Sequence, residues 1–471
     1  MFFNNFPTLG RIGRTDGSGW IDSDGLRMMI INRVAQFDGC IGPNDRVIIG
    51  HGGSAEFISD LLAVWSVGAT AACINPTLTQ NEIDTLKDFI EPTLGLFDPT
   101  KEPEFYKTKQ KNTIPPTLDN PALLLFTSGT TGNPKGVEHS FRSLSARICL
   151  NQSYIPKDVL QKTLCPLPTH FGHGLIGNIL TPLFAGGDVL LLDDKSPMGL
   201  VKLGDIIDTH QIRFISSVPS FWKMVLKLTK PPSSGSLERI HIGSAPLSRG
   251  LWEAVAKWAS TDEVFNMYGI TETANWIGGT SLNEGRRLDG RIGSVWGGAA
   301  MILAADGELL NTGAGELLIQ SPSLMNGYYK QPDLTADVLK NGWFHTGDIG
   351  VIEEDGEIRI TGRSKSEINR AGMKIFPEEI DLLLERHPKI SEACVFGMSD
   401  PISGEKVAAA CVLQEGAQIK PEELAHWMQT LIRNEAIPES WFFIEEIPKT
   451  DRGKINRDIV RTKCLKLGET V

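Results

Sequence analysis

Leu124-Leu-Phe-Thr-Ser-Gly-Thr-Thr-Gly-Asn-Pro-Lys-Gly136 is an apolar run that breaks abruptly into hydroxyls, bare glycines and one cation. The apolar half, Pro121 to Phe126, reads as a short strand buried on both faces. The other half gathers Thr127, Ser128, Gly129, Thr130, Thr131, Gly132 and Lys135. Glycines let backbone N–H groups close on an anion, hydroxyls add donors, and Lys adds a point charge, so the pattern can cradle a phosphate. Its spacing is not the GxxxxGKS/T of a Walker loop. The same composition also makes an ordinary flexible surface loop, and on these residues alone both readings stand.

Upstream, Val47-Ile48-Ile49 reads as a buried strand. From Ser54 onward Phe57, Leu61, Val64 and Trp65 fall at helical spacing, and a second apolar run spans Ala69 to Ile74. Strand, helix and strand in that order predict a crossover unit. Downstream, Gly187 to Leu192 is another short apolar run between breakers, and glycine punctuates the whole chain, 48 of 471 residues. The expected class is α/β, a large N-terminal domain with mixed or parallel β-sheets flanked by helices on both faces.

After Gly362 the texture changes. A charged stretch, Arg363 to Glu367, leads into Pro377 to Arg386, a helix with Pro in its first turn. Ala408 to Leu413 reads as a strand, and a second helix opens at Pro421 with Leu424, Met428 and Leu431 spaced for one face. The expected division is 1–363 and 364–471, the latter a small α+β domain.

Composition narrows the function. The chain carries 57 acidic and 46 basic residues, a net charge of -11. Such a field repels a phosphate backbone, so general nucleic-acid binding is disfavoured while a local nucleotide pocket is not. Seven cysteines without a CxxC pair fit a reducing compartment. The longest apolar runs fall far short of the about 20 residues a membrane-spanning helix needs, so no integral membrane association is expected. The N-terminus places its apolar residues before its arginines, the wrong order for a secretory signal, and the expected location is cytoplasmic.

Several separated motifs together resemble the adenylate-forming superfamily of acyl-CoA synthetases, peptide-synthetase adenylation domains and beetle luciferases. Asn75-Pro-Thr-Leu-Thr79 resembles part of that family's first segment, and the Thr127 to Gly136 loop its phosphate-binding signature. Tyr268-Gly-Ile-Thr-Glu272 resembles its YGxTE, Trp343-Phe-His-Thr-Gly-Asp348 its TGD element, and Pro448-Lys-Thr-Asp-Arg-Gly-Lys454 its PKTxxGK. The order and spacing cover roughly residues 40 to 460.

The resemblance implies two half-reactions: a carboxylate attacks ATP to give acyl-AMP and pyrophosphate, then a thiol displaces AMP to give a thioester. It implies roles as well. Thr271 and Glu272 would serve Mg²⁺ and phosphate, since that ion takes few carboxylates. Tyr268 would stack on adenine, with Gly243, Ser244, Ala245 and Pro246 lining the base. Asp348 would accept from the ribose hydroxyls and Arg363 would donate to the same sugar. Lys454 would offset charge building on the α-phosphate. The small C-terminal domain would swing about a hinge at Lys365, and Gly372 would lie beside a pantetheine tunnel. The acceptor is coenzyme A, or the phosphopantetheine arm of an acyl carrier protein.

The acyl pocket is expected from Cys165 to Gly174 and from Thr273 to Ile277. Many relatives read PLxHxxG in the first segment, whereas this chain reads PLPTHFGHG with an extra residue. His170, Phe171 and His173 therefore compete for one position, and Asn275 and Trp276 add polar and apolar contacts. Phe171 is followed by Gly172 rather than by the Asp that α-amino acids call for. A small plain, aromatic or hydroxylated carboxylic acid is the expected substrate. A non-catalytic nucleotide-binding module predicts erosion at Glu272, Asp348 or Lys454, and all three are intact.

Overall fold

The computed structural model describes residues 8–107, 111, 114–127, 134–284, 289–450 and 453–468. The crossover predicted around Val47 is present. Arg46–Ile49 and Thr70–Cys73 are parallel neighbours joined by the helix Ala55–Ser66, whose N-terminus is capped by the Ser54 side chain. Leu94–Leu96 extends this sheet on one side and Pro121–Thr127 on the other, both parallel. Lys135–Ser140 then folds back antiparallel on Pro121–Thr127, pairing Thr127 with Lys135.

A second sheet runs in spatial order Trp276–Ser281, Val264–Gly269, Arg239–Gly243, Phe214–Ser217, Lys162–Cys165, Asp188–Leu191, Ile12–Arg14 and Trp20–Ile21. Its middle strands are parallel and its two ends antiparallel. Period-two alternation decides what covers each face. Leu123 and Leu125 of the first sheet share a core with Cys165, Val189 and Leu191 of the second, along with residues of helices between the sheets. Ile48, Ala72 and Leu124 face the other way, under Leu86 and Ile90. On the far face of the second sheet, Leu164, Ile215 and Ile240 meet Trp222, Leu251 and Trp252. Both sheets are thus covered on both faces, as their apolar runs required.

Residues 291 to 363 form a third, antiparallel sheet, which the sequence pattern did not disclose. Its strands are broken by glycines and half exposed, so they lack a continuous apolar run. After Arg363 the chain enters a short 3₁₀ turn, Ser364–Ser366, and a fourth sheet begins at Ile368. Helices Pro377–Leu384, Pro421–Met428 and Arg457–Gly468 accompany it. The Pro421 helix buries Leu424 and Met428 but stops before Leu431, which is 49% exposed, so that residue does not continue the predicted face. The N–H groups of Leu431 and Ile432 both turn back to the Met428 carbonyl, ending the helix. Among the described residues no helix is long and apolar enough to cross a membrane.

Candidate active site

The carboxyl edge of the second sheet opens on a cavity of about 640 Å³. Parallel sheets place their ligands at this edge, where strands hand over to loops. Arg239–Gly243 ends there, and a Cβ on Gly243 would stand 2.8 Å from the Met267 carbonyl, so only glycine allows the adjoining strand so near. Ser244 follows with φ +68, turning Ala245 and Pro246 along the cavity wall. Tyr268 comes from the end of Val264–Gly269.

The third sheet supplies the opposite wall. Asp348 on Trp343–Ile352 pairs in register with Arg363 on Ile358–Arg363. Asp348 is 2% exposed and accepts from the Tyr268 hydroxyl through Oδ2 and from Arg363 Nε through Oδ1. The carboxylate's charge, acting against burial, holds Arg363 above its ordinary pKa. Burial first, then the neighbouring Asp348, keeps the Tyr268 phenol protonated.

Thr271 and Glu272 sit on a single 3₁₀ turn, Thr271–Thr273. The turn is held from beneath: His139 Nε2 donates to the Thr271 carbonyl at 2.8 Å, and Ser323 Oγ to the Thr273 carbonyl at 3.1 Å. Glu272 Oε1 accepts from the Tyr328 hydroxyl at 2.7 Å and lies 3.6 Å from Lys135 Nζ. Lys135 Nζ also stands 3.8 Å from the centre of the Tyr328 ring. Burial lowers its pKa, and the charge of Glu272 opposes that shift. Burial also takes His139 down to about 4, so this imidazole is neutral. Residues Ser128, Gly129, Thr130, Thr131 and Gly132 lie outside the described residues, as does the Thr127 side chain.

The extra residue of PLPTHFGHG meets an unusual backbone. His173–Leu180 is a π-helix, a wider turn with one more residue per loop than an α-helix, and the Thr181 N–H reaches back to the Ile176 carbonyl. Gly174 and Gly177 permit its close packing: a Cβ on Gly174 would stand 2.1 Å from the Pro168 carbonyl, and one on Gly177 2.6 Å from Asn275 Nδ2. Of the three competing residues, His173 is the one held between two hydroxyls, Nδ1 at 2.8 Å from Ser244 Oγ and Nε2 at 2.7 Å from Ser216 Oγ. Burial, with the positive charge of Lys454 adding to it, takes its pKa down to about 3. Trp276 stands edge-on to it at 5.5 Å. His170 is buried against Phe171, ring centres 4.0 Å apart.

Lys454 comes from the far end of the chain and lines the same cavity as Ser244, Tyr268, Asp348 and Arg363. Gly453 carries it there with φ +72, and a Cβ on that glycine would stand 2.5 Å from Ser220 Oγ. Of the predicted residues, Thr271, Glu272, His170, Phe171, His173, Asn275 and Trp276 do not line this cavity, and two more lie outside it. Lys365 lies in the turn after Arg363, where its charge is felt at Lys135, and Gly372 occupies the tip of the hairpin Ile368–Arg370/Met373–Ile375 with no atom within 4 Å of its would-be Cβ. Neither lines the cavity. The sequence reading missed His139, Tyr328 and Ser216. Tyr328 is 56 residues from the Glu272 it contacts, and no linear spacing joins them.

Comparison with known proteins gives this arrangement its context. The AMP-binding enzyme family matches residues 38–329, and its C-terminal domain matches residues 379–454. The chain is 34% identical over 351 residues to the sulfoacetate–CoA ligase of Cupriavidus necator, covering 73% of this chain and 67% of that one. It is 28% identical over 464 residues to the oxalate–CoA ligase of Arabidopsis thaliana, covering 90% and 89%. Two further matched CoA ligases are spanned over only 65% and 62% of their length. The fold superposes on ATP-bound MatB of Rhodopseudomonas palustris with a TM-score of 0.85 at 24% identity, covering 98% of both chains. The chain belongs to the AMP-binding enzyme family.

Proposed function

We propose that this protein is an ATP-dependent acid–thiol ligase that joins a carboxylic acid to AMP and then passes the acyl group to a thiol. One observation carries the reading: Lys454 shares a cavity wall with Ser244, Tyr268, Asp348 and Arg363. A carboxylate oxygen of the acid attacks the α-phosphorus of ATP, the bond to the bridging oxygen of the β-phosphate breaks, and pyrophosphate leaves. Negative charge builds on the α-phosphate, and a preorganised ammonium beside it lowers the barrier. Lys454 supplies that cation.

Asp348 and Arg363 would bind the ribose hydroxyls, and Tyr268 with the Gly243–Pro246 backbone the adenine. Thr127 to Gly132 and Lys135 would cradle the outer phosphates. The donor set of Thr271 hydroxyl and Glu272 carboxylate fits Mg²⁺, a hard ion that takes one or two carboxylates beside phosphate oxygens. When bound, the ion neutralises charge on the triphosphate. Tyr328, by donating to Glu272, holds the carboxylate in place.

In the second step the thiol sulfur attacks the acyl carbonyl carbon, AMP leaves and the thiol proton passes to solvent. Coenzyme A is the acceptor the CoA-ligase relatives favour. Residues 364–471 would turn about Lys365 between the steps, and Gly372 would then leave room for the thin pantetheine arm. The test is pyrophosphate release with ATP and Mg²⁺ across a panel of acids, with and without coenzyme A, beside Lys454→Ala. Release that rises with coenzyme A and is lost in the variant supports the ligase. Release without any coenzyme A thioester makes a carrier protein the leading acceptor, and no release with any acid overturns the reading.

A further inference from the structure

Arg147 sits within the helix Phe141–Tyr154 and is 0% exposed. A guanidinium so deep in a protein usually faces a carboxylate, because a lone charge in a low dielectric is costly. This one is met by neutral oxygens. Its Nε donates to Ser323 Oγ at 3.1 Å, its Nη2 to the same hydroxyl at 2.6 Å and to Ser321 Oγ at 3.2 Å, and its Nη1 to the Trp296 carbonyl at 3.4 Å. Burial takes its pKa down to about 9, so it is still a cation at neutral pH.

A guanidinium can only donate, and that fixes the direction of the hydroxyl beside it. Ser323 Oγ accepts twice from Arg147, so its own proton turns to the Thr273 carbonyl, 3.1 Å away. Ser321 Oγ does not compete for that proton, since it already accepts from Arg147 and from the Ser323 N–H while donating to the Gly297 carbonyl. Thr273 closes the turn that carries Thr271 and Glu272. All three carbonyls of this turn are held, Thr271 by His139 Nε2, Glu272 by the Met325 N–H at 2.8 Å and Thr273 by Ser323. Further along the stretch that supplies Ser323 and Met325, Tyr328 donates to the Glu272 side chain. Arg147 anchors that stretch at Ser323. The turn also adjoins the nucleotide cavity, because Ile270 lines it and the charge of Glu272 is felt at Arg363.

We infer that Arg147 is a positioning residue for adenylation: acting through Ser323 it fixes the Thr271–Thr273 turn, and with it the Thr271 hydroxyl and the Glu272 carboxylate that would take Mg²⁺ and phosphate. The inference rests on the role given to those two residues in the proposed reaction. ATP affinity by calorimetry, with and without Mg²⁺, tests it in the parent protein, Arg147→Met, Ser323→Ala and Ser321→Ala. The two serine variants lose the same atom at neighbouring positions, but the Ser323 hydroxyl is the one bonded to the turn.

Arg147→Met and Ser323→Ala are expected to cut the gain in ATP affinity that Mg²⁺ gives by about tenfold, the size of one hydrogen bond to a charged group. AMP affinity measured without the ion should stay within about twofold of the parent and reports an intact fold. Ser321→Ala should leave the gain as it is. In pyrophosphate release the first two variants should raise KM for Mg·ATP and leave KM for the acid unchanged, whereas a purely structural role would weaken ATP with and without the ion alike. If Arg147→Met does not fold, Ser323→Ala against Ser321→Ala decides alone. A Mg²⁺ gain unmoved in Ser323→Ala, or lowered equally in Ser321→Ala, overturns the inference and leaves the ligase standing. A parent whose ATP affinity ignores Mg²⁺ overturns the role of Thr271 and Glu272 on which the inference rests. Absence of release with any acid, in a parent whose ATP affinity does respond to Mg²⁺, overturns the ligase reading itself.

Discussion

Lys223 Nζ lies 2.8 Å from Glu385 Oε1, and this contact joins the helix Pro219–Leu228 beside the cavity to the end of Pro377–Leu384 in the C-terminal part of the chain. Glu392 Oε1 is 3.5 Å from the same ammonium and also accepts from Lys449 at 2.6 Å. Burial works against the charge on Lys223, but the two carboxylates outweigh it and hold its pKa above the ordinary value. Arg386 adds a parallel tie to Asp289. These contacts tie the part of the chain that carries Lys454 to the elements beside the cavity.

Lys223→Met leaves Glu385 and Glu392 facing each other without their shared cation. Loss of this partly buried network is expected to slow pyrophosphate release by about tenfold, close to 1.4 kcal/mol. Thioester formation from preformed acyl-adenylate, measured by rapid quench, is expected to fall less. Equal losses in both steps would show that Lys223 does not favour the adenylating arrangement.

Glu272→Gln removes the carboxylate that the Tyr328 hydroxyl and Lys135 converge on. Pyrophosphate release is expected to fall by about a hundredfold, the scale of losing one preorganised electrostatic contact. Tyr328→Phe keeps the carboxylate and is expected to lose only a few-fold, with a raised Mg²⁺ requirement. A Mg²⁺ titration of initial rates checks both, and a Tyr328→Phe curve that overlays the parent would remove Tyr328 from the site.

Asp348→Asn takes away the anion shared by Tyr268 and Arg363. Breaking a hydrogen-bonded buried pair leaves its partner uncompensated, so AMP affinity by calorimetry is expected to weaken by roughly ten- to a hundredfold. Unchanged affinity would place the ribose elsewhere.

His139 titrates near 4 in the folded protein against an ordinary 6.5, because burial disfavours its charged form. Between those values the unfolded chain binds more protons than the folded one. The stability His139 contributes is therefore complete above pH 6.5 and is lost as pH falls toward 4, by about 1.4 kcal/mol per unit. Urea unfolding midpoints measured at several pH values across that window should drop. In His139→Gln, which keeps a donor for the Thr271 carbonyl, the slope should be shallower by one histidine's share, and an unaltered slope would contradict this account.

The crossover around Val47 was legible because its information is local. Continuous apolar runs and a helical spacing after Ser54 act through neighbours only a few residues away, and hydrophobic burial rewards them wherever the strand lands. The same holds for the order of Tyr268, Glu272, Asp348 and Lys454 along the chain, from which the family could be read. Other features came from packing between distant segments. Nothing linear distinguished His173 from His170, a choice made by a π-helix seated through glycines against Asn275 and by two hydroxyls, Ser216 on one strand and Ser244 just past the end of the next. Tyr328 on Glu272 and Lys223 on Glu385 likewise exist only once sheets and helices are stacked, since hydrogen bonds and charge pairs are set by separation in space rather than along the chain.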